Sequence, residues 1–345
     1  MKIIKKRRRL YRIIGLLSLW IAASSDLFAQ VDQGAMLVPL TDVSTNKLPY
    51  IVAREAGLFR KYGIDIEVYL TPGAALKGGG DGMVPNPEYI MNPKTDRLLS
   101  TGGGVGQIGR RVNEGGDRII IGTTGNILTW WIYARPGIDK LEDLKGKRIS
   151  ATGNTSCTGA VVHILANRMG WEIGKDITLV RNSEHRVDKM VEGEYDAVVV
   201  TELPQVYAES IGLEPLFDLR DWELPFVCSG ISASKAWLAT GNNRETAKRF
   251  LQAVIEAIAL MKSDRSAVYD ALEKWYGVRD LETKKKMYET ISDLPAKPYP
   301  AVDGIKLIMS TYDSPEMRQY RPEDFYDDSL MREIDESGFI DALYE

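Results

Sequence analysis

Short hydrogen-bonding side chains gather in four stretches of this 345-residue chain: Thr41-Asp-Val-Ser-Thr-Asn46, Thr123-Thr-Gly-Asn126, Thr152-Gly-Asn-Thr-Ser156 and Thr201-Glu-Leu-Pro204. Each lies beside an apolar run. Hydroxyls and unpaired backbone N–H groups ahead of a helix can hold a ligand oxygen, and the positive end of the helix dipole favours an anion. Within these loops Asp42, Ser44, Asn46, Thr124 and Asn126 are candidate contacts, with Tyr50 just beyond the first. Asn154, Thr155 and Ser156 form the best local case, because an apolar helix pattern starts at Cys157. They either cap that helix or bind a ligand, and the residues alone weigh the two equally.

A glycine run, Gly102 to Gly106, offers a further cradle around Gly104, although it does not match a Walker phosphate loop. Trp130 either stacks a ring or covers an alkyl chain at the cleft, or packs in the core; Trp131 fits core packing better. Glu202 would suit an amine or a ring N–H, or else it is a solvated loop carboxylate. Beside an anion it would be unfavourable.

Other chemistry finds little support. His163 and His185 are the only histidines, and neither has metal-ligand spacing with a second His or a Cys. Cys157 and His163 are six positions apart, which one helix does not place side by side, so a Cys-His nucleophile is not expected. No Gly-x-Ser-x-Gly segment occurs, and Asp327-Asp328 lies in a charged tail. The expectation is a chain with no catalytic residue, no metal and no cofactor. Cys157 and Cys228 are the only cysteines. An oxidising compartment would permit one bond between them; two separate shielded thiols are the alternative.

The elements that must position these groups are legible. Met36 to Leu40 is a strand, Pro49 to Tyr62 a helix stopped by Gly63, and Ile64 to Leu70 alternates with period two. That strand-helix-strand order predicts a parallel crossover in an open α/β sheet, with ligands at the carboxyl ends of the strands. A second set follows: strand Arg148 to Ala151, helix Cys157 to Met169, strand Ile177 to Val180, helix Val187 to Glu192 and strand Ala197 to Val200. Ile127 to Ala134 reads as an extended crossing between the two units. From Asn243 onward the pattern is helical, and 77–101 reads as a long irregular loop.

Seven basic residues before an 11-residue apolar run, Ile13 to Ala23, have the order of an export signal cut after Ala29. That run is short for a membrane span, so an uncleaved anchor is the weaker alternative. The absence of a nearby cysteine excludes lipid modification. Residues 1–29 hold seven basic residues and one acidic, so 37 basic against 47 acidic remain and the formal charge becomes −10. Nucleic acid is therefore excluded as a partner. With 44% hydrophobic residues, the remainder can build the cores of about two domains.

Three segments together, Tyr50-Ile-Val-Ala-Arg-Glu-Ala-Gly-Leu-Phe-Arg-Lys-Tyr-Gly-Ile-Asp-Ile-Glu67, Leu141-Glu-Asp-Leu-Lys-Gly-Lys-Arg-Ile149 and Gly193-Glu-Tyr-Asp-Ala197, resemble the sulfonate, nitrate and thiamine-precursor solute-binding proteins of ABC transporters. The resemblance covers most of residues 36 to 265. It implies a type II periplasmic binding fold with two doubly wound α/β lobes joined by a two-segment hinge. The first lobe would comprise 30–126 and 229–345, the second 127–228. It also implies an exported periplasmic receptor, a monomer that captures a small polar solute between its lobes and delivers it to an ABC permease. The motifs themselves are scaffold: a tight glycine turn into a strand, and a helix stop before a buried strand. Two departures fall in the first lobe, where 77–96 replaces the short acidic segment usual in the family and the glycine run follows. A tripartite-transporter or sensor receptor, or an enzyme on the same fold such as a thiamine-pyrimidine synthase, is the runner-up. The clustered cysteines of that synthase are absent.

Overall fold

The computed structural model describes residues 34–78, 83–94 and 98–345; the segment expected to be an export signal lies outside them. Among the described residues no helix is long and apolar enough to cross a membrane.

Apolar residues at strand and helix periods build the first unit in order. Strand β1 (Met36–Leu40) leads to helices α1 (Leu48–Glu55) and α2 (Leu58–Lys61) and then β2 (Ile66–Leu70), which pairs with β1 in parallel from Met36 opposite Ile66 to Leu40 opposite Leu70. The single helix expected over 49–62 is thus two. Gly57 takes a left-handed conformation (φ 70°) that breaks the first helix and starts the second. Next come α3 (Pro72–Gly78), β3 (Leu99–Ser100), α4 (Gly104–Glu114) and β4 (Arg118–Thr123).

Within the span 77–101, expected to be an irregular loop, the described residues 83–90 are fixed by distant partners. Val84 and Asn86 donate their amides to the Tyr276 and Trp275 carbonyls, at 3.2 and 3.0 Å, and Tyr89 stacks on Trp275 with ring centroids 3.9 Å apart. Carbonyls that a helix end leaves unpaired are satisfied by these amides, and the ring stack holds the strap against the core.

The second unit contains β5 (Trp131–Ala134), β6 (Arg148–Ala151), α5 (Cys157–Met169), β7 (Thr178–Arg181), α6 (Arg186–Glu192), β8 (Ala197–Val200), α7 (Glu202–Ser210) and β9 (Phe217–Asp218). Its five-stranded sheet has the order β7-β6-β8-β5-β9, with β6 parallel to both neighbours and β5 antiparallel to β8 and β9. All four residues of β8 are buried, as a strand covered on both faces requires. The chain then returns through β10 (Gly230–Ser234), which lies between β3 and β4, to α8 (Lys235–Leu238), α9 (Asn243–Ser263), α10 (Arg265–Tyr276), α11 (Leu281–Glu289), α12 (Val302–Thr311) and α13 (Ser329–Glu336).

Two apolar cores result. One joins β1, β2, α1, α9 and α10; the other surrounds β5, β6, β8 and α5. The C-terminal segment divides between them: Leu330, Met331 and Ile334 pack in the first, whereas Ile305, Ile308 and Phe325 pack in the second. Two chain crossings link the cores side by side and antiparallel. Phe226 donates to the Asn126 carbonyl at 2.8 Å, Leu128 to Leu224 at 3.0 Å, and Thr124 to Ser229 at 3.0 Å.

Helix α4 meets the returning crossing almost backbone to backbone. A Cβ added at Gly104 would lie 2.3 Å from Val227 Cγ2 and 2.6 Å from the Val227 carbonyl oxygen. Gly104→Ala is expected to lower stability by about 1–3 kcal/mol through this overpacking. Gly109→Ala, in the same helix with open space around it, should instead raise stability by up to about 1 kcal/mol. Urea unfolding midpoints of the two variants check the contrast, and a Gly104→Ala midpoint equal to wild type would refute the close approach.

Candidate functional site

The carboxyl ends of the strands converge on one cavity of about 250 Å³ between the two cores. Thr41 to Ser44 reach it from the end of β1, Ser100, Gly102 and Gly103 from β3, Thr152 and Thr155 to Thr158 from β6, and Thr201 and Pro204 from β8. Trp130 and Cys228 enter from the two crossings. The first turns of α4, α5 and α7 lie at this wall, so their dipoles present positive ends to it. Lys77, Arg110 and Arg186 also line the cavity. Among the described lining residues, Asp42 is the single carboxylate.

Asp42 is itself answered. Its Oδ2 lies 3.4 Å from the Nζ of Lys47, and its Oδ1 accepts from Ser44 Oγ at 2.7 Å. Lys47 is wholly buried, and its ammonium also donates to the Thr101 carbonyl and to Ser229 Oγ, each at 2.5 Å. A neighbouring hydroxyl cluster extends this hub. Thr124 Oγ1 donates to the Asn46 carbonyl at 2.9 Å and sits 3.3 Å from Tyr50 Oη, and burial pushes the Tyr50 phenol far up. Lys47 is the central residue that sequence reasoning missed. Its signal was an isolated cation inside a loop of small polar residues, directly before the Leu-Pro-Tyr helix start.

The expected site residues therefore separate. Asp42, Ser44, Trp130, Thr155 and Ser156 line the cavity. Asn46, Tyr50 and Thr124 lie behind it, in the hub that fixes the first crossing. Gly104 is committed to Val227 and Cys228, and its amide donates to the Cys228 carbonyl at 2.7 Å. Asn126 lends its carbonyl to the second crossing. Asn154 is exposed, with Oδ1 2.7 Å from His163 Nε2, and its carbonyl takes the Tyr312 hydroxyl at 2.6 Å. Ser156 caps α5, its Oγ accepting from the Gly159 amide at 3.0 Å, and the residue also lines the cavity. Trp130 packs edge-on against Phe226, with ring centroids 5.7 Å apart.

Glu202 is neither a lining residue nor a solvated loop carboxylate. It is the first residue of α7 and 3% exposed, and Oε2 has no hydrogen-bond partner among the described residues. Burial pushes its carboxyl up to about 7, with a further push from Asp42; its own backbone N–H and Trp130 oppose this. Near neutrality the group is therefore only about half ionised, which reduces its conflict with an anion in the cavity.

A family model described as NMT1/THI5 like matches residues 121–266. Among solved structures, one from Bordetella bronchiseptica RB50 is 16% identical, covers 90% of this chain and 99% of its own, and superposes with a TM-score of 0.69. The periplasmic aliphatic sulphonate binding protein SsuA from Escherichia coli is 18% identical over 86% of this chain and 99% of its own, with a TM-score of 0.61. The periplasmic nitrate-binding protein NrtA from Synechocystis PCC 6803 is 13% identical over 88% of each chain, also with a TM-score of 0.61. No curated protein matches the chain. The family model spans the second and third of the three sequence motifs, and the fold is the two-lobed α/β fold of periplasmic binding proteins.

Glu202 makes stability depend on pH with a definite sign. Its ordinary value is 4.5 and its folded value about 7, so between these the folded state holds the extra proton and stability falls as pH rises. Glu202→Gln removes this loss and is expected to be more stable than wild type by roughly 3 kcal/mol at pH 8, and little different at pH 4.5. Thermal or urea unfolding across pH 4.5 to 8 measures it; parallel curves for the two proteins would show that Glu202 ionises normally.

Proposed function

We propose that this chain is an exported periplasmic solute-binding receptor that captures a small anionic solute in the interlobe cleft and delivers it to an ABC-type importer. The observation that carries this is the charge of the cavity wall: three helix N-termini and the cations Lys77, Arg110 and Arg186 converge there, while the one lining carboxylate is paired with Lys47. Such a wall favours an oxyanion such as a sulfonate or carboxylate group, with Ser44, Thr155 and Ser156 supplying hydroxyls and Trp130 covering the apolar part of the solute. The volume lies below the 300–1,000 Å³ common for drug-sized ligands, so the reading is of a small solute.

In this reading the lobes comprise 30–126 with 229–345, and 127–228, with Ile305, Ile308 and Phe325 of the C-terminal segment packing against the second lobe, and the two crossings form the hinge. Contacts across the cleft support closure by hinge motion. Lys286 Nζ donates to Glu209 Oε2 at 2.7 Å, and Leu203 and Val206 of α7 pack into the first core. A solute touching both lobes favours the closed population by its differential affinity for the two states. The chain works as a monomer, and its solute leaves chemically unchanged.

Thermal unfolding against sulfonates, nitrate, carboxylates, pyrimidines and amines tests the reading. An anionic class is expected to raise the melting temperature, by about 2.7 kcal/mol of linkage at a hundredfold excess over Kd, with the solute recovered intact. Arg110 is exposed at the cavity wall and has no carboxylate partner among the described residues. Arg110→Gln should weaken binding by about 10- to 100-fold through loss of a charge-assisted hydrogen bond. A response confined to amines, or an Arg110→Gln affinity equal to wild type, would overturn the anionic reading.

A further inference from the structure

Solute capture makes no use of the two thiols, yet both face the same cavity wall. Cys157 is the first residue of α5, and Cys228 lies on the returning crossing; both are half-buried and both line the cavity. Cys157 Sγ stands 3.7 Å from the Cys228 carbonyl oxygen. The neighbouring Cys157 thiol, and then burial, push the Cys228 thiol up.

Different parts of the fold anchor them. The Cys228 carbonyl accepts the Gly104 amide, and the adjoining Ser229 takes the Lys47 ammonium. Cys157 belongs instead to α5, whose first turn is tied to the end of β6 through Thr158 Oγ1, an acceptor for the Thr152 amide at 2.9 Å. Gly103 leaves the sulfurs their room: a Cβ there would lie 2.9 Å from Cys157 Sγ and 3.2 Å from the Cys228 carbonyl oxygen.

We propose that Cys157 and Cys228 form a reversible disulfide in the cavity wall, a latch that fastens the ligand-facing end of α5 to the returning crossing. The oxidant is a disulfide, of an exchange protein or a small molecule. One cysteine thiolate attacks it, forming a mixed disulfide and expelling a thiolate. The second cysteine then attacks the mixed disulfide, so the bond closes within the chain. Two protons and two electrons leave with the reduced dithiol product. The closed loop joins positions 71 residues apart and restricts the unfolded chain. The bond also forbids the first turn of α5 and the returning crossing from separating at the cavity wall.

The full-length protein, oxidised with diamide or reduced with dithiothreitol, tests this. Oxidation is expected to take the titratable thiols of the denatured protein from two to none, to link the peptides carrying Cys157 and Cys228 within one chain, and to reverse on reduction. The melting temperature of the oxidised form should rise by about 5 °C or more, and hydrogen exchange at 157–160 and 226–229 should slow. Cys157→Ser and Cys228→Ser should each melt like the reduced wild type and show no rise on oxidation. Two thiols surviving oxidation, or only mixed or interchain adducts, would overturn the bond. A bond that forms without changing melting or exchange would overturn the latch. Neither result bears on whether an anion binds, which the solute panel decides.

Discussion

The buried ammonium of Lys47 is the constraint on which the arrangement of the cleft depends. A cation cannot stay ionised out of water unless charge and lone pairs surround it. Lys47 gains these from Asp42 in its own loop, the Thr101 carbonyl after β3 and Ser229 before β10. Satisfying one charge therefore requires three separate segments to meet. The hydroxyl of Thr124 fastens the first crossing to the same place through the Asn46 carbonyl and, at 3.3 Å, the Ser229 carbonyl. Both crossings are thus held where the first core begins.

The electrostatics of the cavity follow from this hub. Because Lys47 neutralises Asp42, and burial leaves Glu202 only about half ionised near neutrality, these two carboxyl groups contribute a reduced negative field. What remains is positive: helix ends whose amides face the wall, and three cationic side chains. Arg186 shows how such a cation is held, since its guanidinium donates to the Val199 carbonyl at 2.5 Å while the residue still lines the cavity. The polar loops at strand ends are rich in Ser and Thr for a related reason, as hydroxyls can cap a helix and face a ligand without adding charge.

Much of the frame was legible because it rests on local periodicity. The period-two run ending at Leu70, the helix from Cys157 to Met169 and the buried Val198 to Val200 each appear where their patterns place them. So do the polar loops at the carboxyl ends of the strands. Where local reasoning fell short, a distant partner intervened. Gly57 splits one expected helix into two, and the strap from Met83 to Tyr89 is ordered by the carbonyl end of α10 and by Trp275, almost two hundred residues later in the chain.

The sequence by itself determined the α/β alternation, the two units, the loops from which a ligand site had to be built and the family resemblance, since each is written in spacings of a few residues. Only the tertiary structure decided which of those loop residues face the cavity. It buried Lys47 against Ser229, 182 positions away, left Glu202 without a partner, assigned Gly104 to backbone packing, and brought Cys157 beside Cys228 across 71 positions. Charge state, burial and thiol pairing are properties of an environment, and here that environment is assembled from segments that no local pattern connects.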